Sequence, residues 1–132
     1  MESIETVVLD TDILIDHLRG FTKAKIFLAL FDEKSISGMI STLTVMELLS
    51  GKSASEDIKR IKIEKLLSLF KTVDVTFSIA EKAGELRRKY STNPIDSIIA
   101  ATAISYNLKL VTCNISHYQM VEGLTIWKPY DK

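Results

Sequence analysis

Short β-branched runs alternate with longer stretches of helical spacing along this chain. Thr6-Val7-Val8-Leu9 is apolar, suits a buried strand, and ends abruptly in Asp10-Thr11-Asp12. A helical pattern follows through Ile13, Leu14 and Leu18, with Gly20 placed to stop it. A second helix is expected from Lys23 to Phe31 on Ile26, Phe27 and Leu30, then a strand within Ser35–Ser41. Leu43–Leu49 reads as a helix ended near Gly51, and Ser53–Asp57 as a polar loop and helix start. Ile58, Ile61, Leu66, Leu67 and Phe70 predict an amphipathic helix over Glu56–Phe70. Val73 and Val75 alternate as a short strand, and Ser78 with Glu81 has capping-box spacing for a helix over Ile79–Lys89. Pro94 follows a cap at Asn93 and opens a helix that runs through Ile98, Ile99, Ala103 and Ile104 to Asn107. Leu108–Thr112 and Leu124–Trp127 complete the strands. Strands alternating with helices predict a parallel sheet covered on both faces, an α/β sandwich whose strand carboxyl ends share one edge.

Composition narrows the class. The 132 residues fit one domain, taken as 1–132, and the 46% hydrophobic and 26% charged content is ordinary globular usage. Five glycines and two prolines leave little punctuation, which favours helices. Seventeen basic residues balance seventeen acidic ones, so the chain is not one that coats nucleic acid through bulk positive charge. A local basic patch remains enough to hold a nucleic-acid substrate. A single cysteine, Cys113, makes no internal disulfide and points to a reducing cytosol. Met1-Glu2-Ser3-Ile4-Glu5 carries acids where a leader peptide needs basic residues. The longest uncharged stretches, Ser35–Met46, Ser97–Leu108 and Leu110–Val121, have 12 residues each. A membrane span needs about 20, so a cytoplasmic protein with no membrane partner is expected.

The acids carry the chemistry. Asp10 closes the first strand; Asp10 or Asp12 also serves as a helix cap. Glu47 sits among Leu43, Val45, Met46, Leu48 and Leu49, where an unpaired carboxylate is costly to bury. Thr44 would pair with it as a capping box, but a cap at Ser41 or Thr42 places Glu47 a turn too deep for that. Asp96 would be the third residue of its helix, where an acid favours the macrodipole. Local roles explain each acid alone but not their shared edge. Three carboxylates gathered within a few ångströms repel one another unless a cation sits among them. Oxygen donors without a Cys/His set indicate Mg²⁺ or Mn²⁺ rather than zinc, a site suited to phosphodiester hydrolysis. Thr112-Cys113-Asn114-Ile115-Ser116-His117-Tyr118 lies at another strand end and reads first as a polar turn with an aromatic anchor. Asp16 and His17 read as a solvated helix face, and Cys113 as a packing residue. Arg87-Arg88-Lys89 is either a solvated helix end or a grip for a phosphate backbone.

Taken together these segments resemble a PIN-domain ribonuclease, most closely the VapC-type toxins of toxin–antitoxin pairs. The resemblance runs from about Thr6 to Trp127. It rests on the strand before Asp10-Thr11-Asp12, on Ser41-Thr42-Leu43-Thr44-Val45-Met46-Glu47-Leu48-Leu49-Ser50-Gly51, on Pro94-Ile95-Asp96-Ser97-Ile98-Ile99-Ala100-Ala101-Thr102-Ala103, and on Leu110-Val111-Thr112-Cys113-Asn114 with His117-Tyr118. It implies a three-layer α/β/α sandwich with a parallel sheet of four or five strands. It further implies Asp10, Glu47 and Asp96 as catalytic ligands of Mg²⁺ or Mn²⁺, with Thr112 and Asn114 in support. An RNA substrate, a small VapB-like antitoxin and a homodimer belong to the same expectation. Two positions depart from the family pattern. An acid is common where this chain has His117, which makes a second metal ion less favoured and leaves the imidazole to orient water or touch phosphate. A basic residue is common where it has Cys113.

Two other readings compete. Asp10-Thr11-Asp12 also fits the nucleophile-and-acid pair of a haloacid-dehalogenase-like phosphatase, although the downstream lysine and acidic pair do not stand out. A non-catalytic module that binds RNA or protein with an idle acidic pocket is the other, kept open by His117.

Overall fold

Five parallel strands, β1 (Thr6–Leu9), β2 (Ser37–Ser41), β3 (Lys71–Val73), β4 (Lys109–Val111) and β5 (Ile126–Trp127), form one sheet in the order β3-β2-β1-β4-β5. The computed structural model describes residues 4–132; Met1-Glu2-Ser3, part of the basis for expecting no leader peptide, lies outside the described residues. Central β1 alternates its faces. Val7 and Leu9 join a core with α1 (Thr11–Leu18), α2 (Thr22–Asp32), α3 (Thr42–Leu49) and α4 (Asp57–Leu67). Val8 joins a second core with α5 (Phe77–Tyr90), α6 (Pro94–Ser105) and Tyr118 at the end of the one-turn helix α7 (Ile115–Tyr118). The expected three layers are therefore present, each sheet face carrying its own apolar cluster. Gly38 in β2 is demanded by packing: a Cβ there would stand 2.6 Å from Phe70 Cδ1 and 2.8 Å from Leu9 Cδ1.

The order of strands places the site. The chain leaves β1 for β2 and β3 on one side, then returns to lay β4 and β5 on the other. Between the carboxyl ends of β1 and β4 the progression reverses, which opens a crevice at the sheet edge. Asp10 follows β1 and Thr112 follows β4, so both stand at that crevice.

Several local expectations need correction. The buried stripe of α2 is Ala24, Phe27, Leu28 and Phe31, while Ile26 is 68% exposed. α4 ends at Leu67 rather than Phe70 and buries Ile63 and Leu66, leaving Ile58 and Ile61 in solvent. Periodicity identified both helices and rightly buried Phe27, Leu66 and Phe70, but put Ile26, Leu30, Ile58 and Ile61 on the wrong side, because phase depends on what each helix meets. α5 is capped by Thr76, whose Oγ1 accepts from the Ile79 N–H at 3.2 Å, two residues before the proposed Ser78 cap. Nor are Asp16 and His17 a solvated face. The carboxyl-terminal segment crosses α1, with the Tyr130 hydroxyl 2.9 Å and Lys132 Nζ 3.0 Å from Asp16 Oδ2. His17 Nδ1 is buried without a hydrogen-bond partner. Among the described residues no helix is long and apolar enough to cross a membrane.

Candidate active site

Asp10 extends the β1–β4 pairing by one step, its N–H donating to the Val111 carbonyl at 2.9 Å. The backbone then turns into α1 with Asp10 as N-cap. Its carboxylate is divided between two duties. Oδ1 accepts from the Thr11 N–H at 2.9 Å, and Oδ2 accepts from the Thr112 hydroxyl at 2.8 Å across the crevice. Asp10 is only 5% exposed. Burial first, then the negative charge of Asp12 and of Asp96, pushes its carboxyl up to about 7, against the lowering effect of the Thr112 and Tyr118 hydroxyls. A cap alone would not need so unfavourable a setting.

The neighbouring groups are arranged around this acid. Thr112 is fully buried and its hydroxyl also accepts the Asn114 N–H at 3.0 Å, which fixes the direction of its proton toward Asp10. Asn114 therefore supports the site through its backbone. Asp12 Oδ2 accepts the Cys113 N–H at 3.0 Å, while its Oδ1 is buried with no partner. Burial raises the Asp12 carboxyl as well. The Cys113 thiol is likewise held up by burial and lies against the Tyr130 carbonyl, in keeping with packing rather than nucleophilic work.

Asp96 arrives from the opposite side of the crevice. Pro94 is the first residue of α6 and Asn93 its N-cap, as expected, with Asn93 Oδ1 accepting the Asp96 N–H at 2.9 Å. The Asn93 amide returns a bond to Asp96 Oδ2 at 2.6 Å, and His117 Nδ1 lies 3.0 Å from the same oxygen. Tyr118, fully buried, donates its hydroxyl to Asp96 Oδ1 at 3.1 Å and also faces Asp10. Burial and the two carboxylates push that phenol far up, so it remains a donor. The phenol thus gives its proton to Asp96 while lying close enough to Asp10 to act on that carboxyl.

Glu47 is the sixth residue of α3, whose N-cap is Ser41, so the capping-box alternative with Thr44 fails. The Thr11 hydroxyl donates to Glu47 Oε1 at 2.6 Å and lies 3.0 Å from the Thr44 hydroxyl. The three acids do not meet at one point as the sequence suggested. Asp10 and Asp96 converge on Tyr118, whereas Glu47 stops at Thr11, one residue along from Asp10. Among the described residues, no three Asp, Glu, His or Cys side chains are grouped closely enough to hold one ion. Mutual repulsion favours that spread when a hydroxyl is at hand for the third carboxylate.

The donor set nonetheless fits a hard divalent cation. The acidic groups at the crevice offer carboxylate oxygens backed by hydroxyls, and Asp12 Oδ1 is an orphan. Among the described residues no lysine or arginine forms a salt bridge to Asp10, Asp12 or Glu47. Lys132 acts on Asp12 from its pairing with Asp16, but the charges that act on Asp10 are acids, so positive charge is what Asp10 lacks.

A family model described as the PIN domain matches residues 7–122. The chain belongs to the PIN-domain family. Its curated PIN relatives include Ribonuclease VapC10 of Mycobacterium tuberculosis, 37% identical over 123 residues that cover 89% of this chain and 90% of the relative. Ribonuclease VapC19 of the same organism is 34% identical, covering 89% and 95%. Among solved structures, a toxin–antitoxin complex from Klebsiella pneumoniae superposes with a TM-score of 0.79 at 31% identity, over 96% of this chain and 99% of that one. VapBC2 from Rickettsia felis, bound to a promoter DNA fragment, gives 0.79 at 25%, over 92% and 97%. The PIN match sets aside the phosphatase alternative.

Within this PIN chain the basic run divides. Arg87 Nε donates to the Thr92 carbonyl at 3.2 Å, tying the end of α5 to the loop before Asp96. Lys89 lies 3.6 Å from Glu122. Arg88 is exposed. Thr11, Asp12, Asn93 and Tyr118 are site residues that the sequence reading did not place there. Asp12 was weighed as a cap and as the acid of the phosphatase-like pair, and Tyr118 as an aromatic anchor.

Proposed function

We propose that this chain is a single-domain, divalent-metal-dependent endoribonuclease that hydrolyses RNA phosphodiester bonds. In this reading it is the toxin of a toxin–antitoxin pair, cytoplasmic, dimeric and restrained by a small VapB-like antitoxin. The PIN match and the ribonuclease names of its relatives support the reaction class; the toxin–antitoxin complexes among its structural neighbours support the partner. PIN-domain VapC ribonucleases are generally dependent on divalent metal, and the all-oxygen donor set favours Mg²⁺ or Mn²⁺. The observation that carries the reading is Asp10 and Asp96 facing one phenol at the strand-order reversal, with acids as the leading charged neighbours of the buried one.

Asp10 and Asp96 would hold the cation directly, with Glu47 at the edge of the site on Thr11; the cation when bound supplies charge for the phosphoryl oxygen and lowers the pKa of an attacking water. The protein's own part is orientation. Thr112 holds Asp10 Oδ2, Asn93 holds Asp96 Oδ2, and Thr11 holds Glu47 Oε1. Arg87 and Arg88, close in sequence to the Asp96 loop, are assigned to the RNA backbone, Arg87 through the guanidinium nitrogens left free by its Thr92 bond. Purified protein incubated with total RNA and Mn²⁺ should cleave it, and chelator should stop the reaction. Asp96→Asn keeps the fold but should lower kcat about a hundred- to a thousandfold. Equal cleavage by that variant, or RNA binding without turnover by the parent, rejects the assignment.

A further inference from the structure

One-turn helix α7 brings two consecutive side chains onto a single carboxylate. Tyr118, sealed in the core, donates to Asp96 Oδ1, and His117, with half of its side chain open to solvent, reaches Oδ2 through Nδ1. Asn93 Nδ2 is on Oδ2 too. Two nitrogens therefore stand at Oδ2, and Oδ1 is the oxygen that faces Tyr118, the residue that also acts on Asp10. A carboxylate gripped at both oxygens cannot turn about its Cβ–Cγ bond without breaking bonds at each end. An acid at position 117 could accept but not donate, and would set a like charge against Asp96.

We propose that His117 is a positioning residue: its Nδ1–H holds Asp96 Oδ2, so that Oδ1 is presented toward Asp10 before cation or RNA arrives. The inference rests on the metal-dependent ribonuclease reading and assigns within it the work of a residue that is not itself a ligand. Groups that orient ligating carboxylates typically contribute about 10–100-fold in metal affinity or activity.

Side-chain shape gives the test. Asparagine sets its amide nitrogen close to where the imidazole carries Nδ1; glutamine sets it close to Nε2. Mn²⁺ is titrated onto RNA-free His117→Ala, His117→Asn and His117→Gln, with free Mn²⁺ followed by its paramagnetic resonance. The kcat and KM for an RNA oligonucleotide cleaved by the parent are measured beside it. Ala and Gln should weaken Mn²⁺ binding about tenfold and lower kcat, with KM nearly unchanged. Asn should restore both to within about threefold of the parent. Melting temperatures confirm that every variant is folded, since His117 lies at the surface. Parent-like Mn²⁺ affinity in the Ala variant overturns the proposal, as does rescue by Gln. A loss confined to KM also overturns it, because that would mark a substrate contact. Parent protein that binds Mn²⁺ but cleaves no RNA sinks the ribonuclease reading and leaves the affinity comparison to judge His117. Parent protein that binds no Mn²⁺ sinks both.

Discussion

Asp10 lies almost sealed between the ends of β1 and β4, where its leading charged neighbours are other acids, whereas Asp96, across the Tyr118 hydroxyl, takes donors from Asn93 and Tyr118 and has His117 Nδ1 beside Oδ2. The first is a carboxylate the fold makes costly to ionise; the second is one the fold holds in place. Together they divide what a cation site needs. Asp10 supplies the electrostatic demand for positive charge, and Asp96 supplies a fixed direction in which to meet it. A site of two acids like Asp10 would weaken the fold, and a site of two like Asp96 would be satisfied without an ion.

The contrast is broken most severely by removing the charge of each acid in turn and following stability without metal. A carboxyl carried from 3.8 to about 7 on folding keeps its proton longer in the native state than in the unfolded chain. Stability therefore falls as pH rises through that interval. The contribution is absent below about 3.8 and fully expressed above about 7, on the order of 4 kcal/mol. Asp10→Asn should gain that amount in urea unfolding of chelator-treated protein at pH 8 and nothing at pH 3.5, since asparagine still caps α1. Asp96→Asn should show no such gain, because the carboxylate it replaces already has a donor on each oxygen. Saturating Mn²⁺ should reverse the order for Asp10. Parallel pH curves for Asp10→Asn and the parent would remove the electrostatic half of the argument.

A milder intervention acts on Asp10 through its partner. Thr112→Val preserves shape but deletes the hydroxyl that serves Asp10 Oδ2 and receives the Asn114 N–H. The expected cost is about 2–3 kcal/mol at pH 8, above the raised value of Asp10, since a bond to an ionised acid is lost in a buried place. Thr112→Ser, which keeps the hydroxyl, should recover most of it. Urea titration of the three proteins decides the point, and a Val variant as stable as the parent would show that Thr112 contributes only packing.

How far this division could be read in advance differs between its halves. Asp10 announced itself, because a β-branched run that stops at an acid marks a strand carboxyl end in an α/β chain. Asp96 was equally legible from Asn93-Pro94, since proline at the first helical position fixes where the third residue stands. Glu47 was placed correctly past its cap, yet its capture by Thr11 depends on how α3 lies against α1. Tyr118 could not be recognised at all. Nothing local separates a tyrosine buried for its ring from one buried for its hydroxyl, and only its bond to Asp96 beside Asp10 does so. The same limit explains Ile58 and Ile61, whose spacing is helical but whose side of the helix meets solvent. Spacing along a chain reports period; the partner supplies phase.

The smallest expected effect is the most discriminating, because it separates the two services of Asn93. Its Oδ1 caps α6 through the Asp96 N–H, and its Nδ2 donates to Asp96 Oδ2. Serine is as good a cap as asparagine but has no amide to give. Asn93→Ser should therefore change stability by only a few tenths of a kcal/mol, whereas Asn93→Ala should cost about 1 kcal/mol through loss of the cap. If Asp96 needs its donors for orientation, the Ser variant should still lose several-fold in kcat and in Mn²⁺ affinity, despite a parent-like unfolding curve. Combined with His117→Ala, the two losses should not simply add, because both bonds end on one oxygen and either can partly hold it. Full activity in the Ser variant would mean that Asn93 matters to the helix alone, and that the direction of Asp96 is set by the backbone of α6.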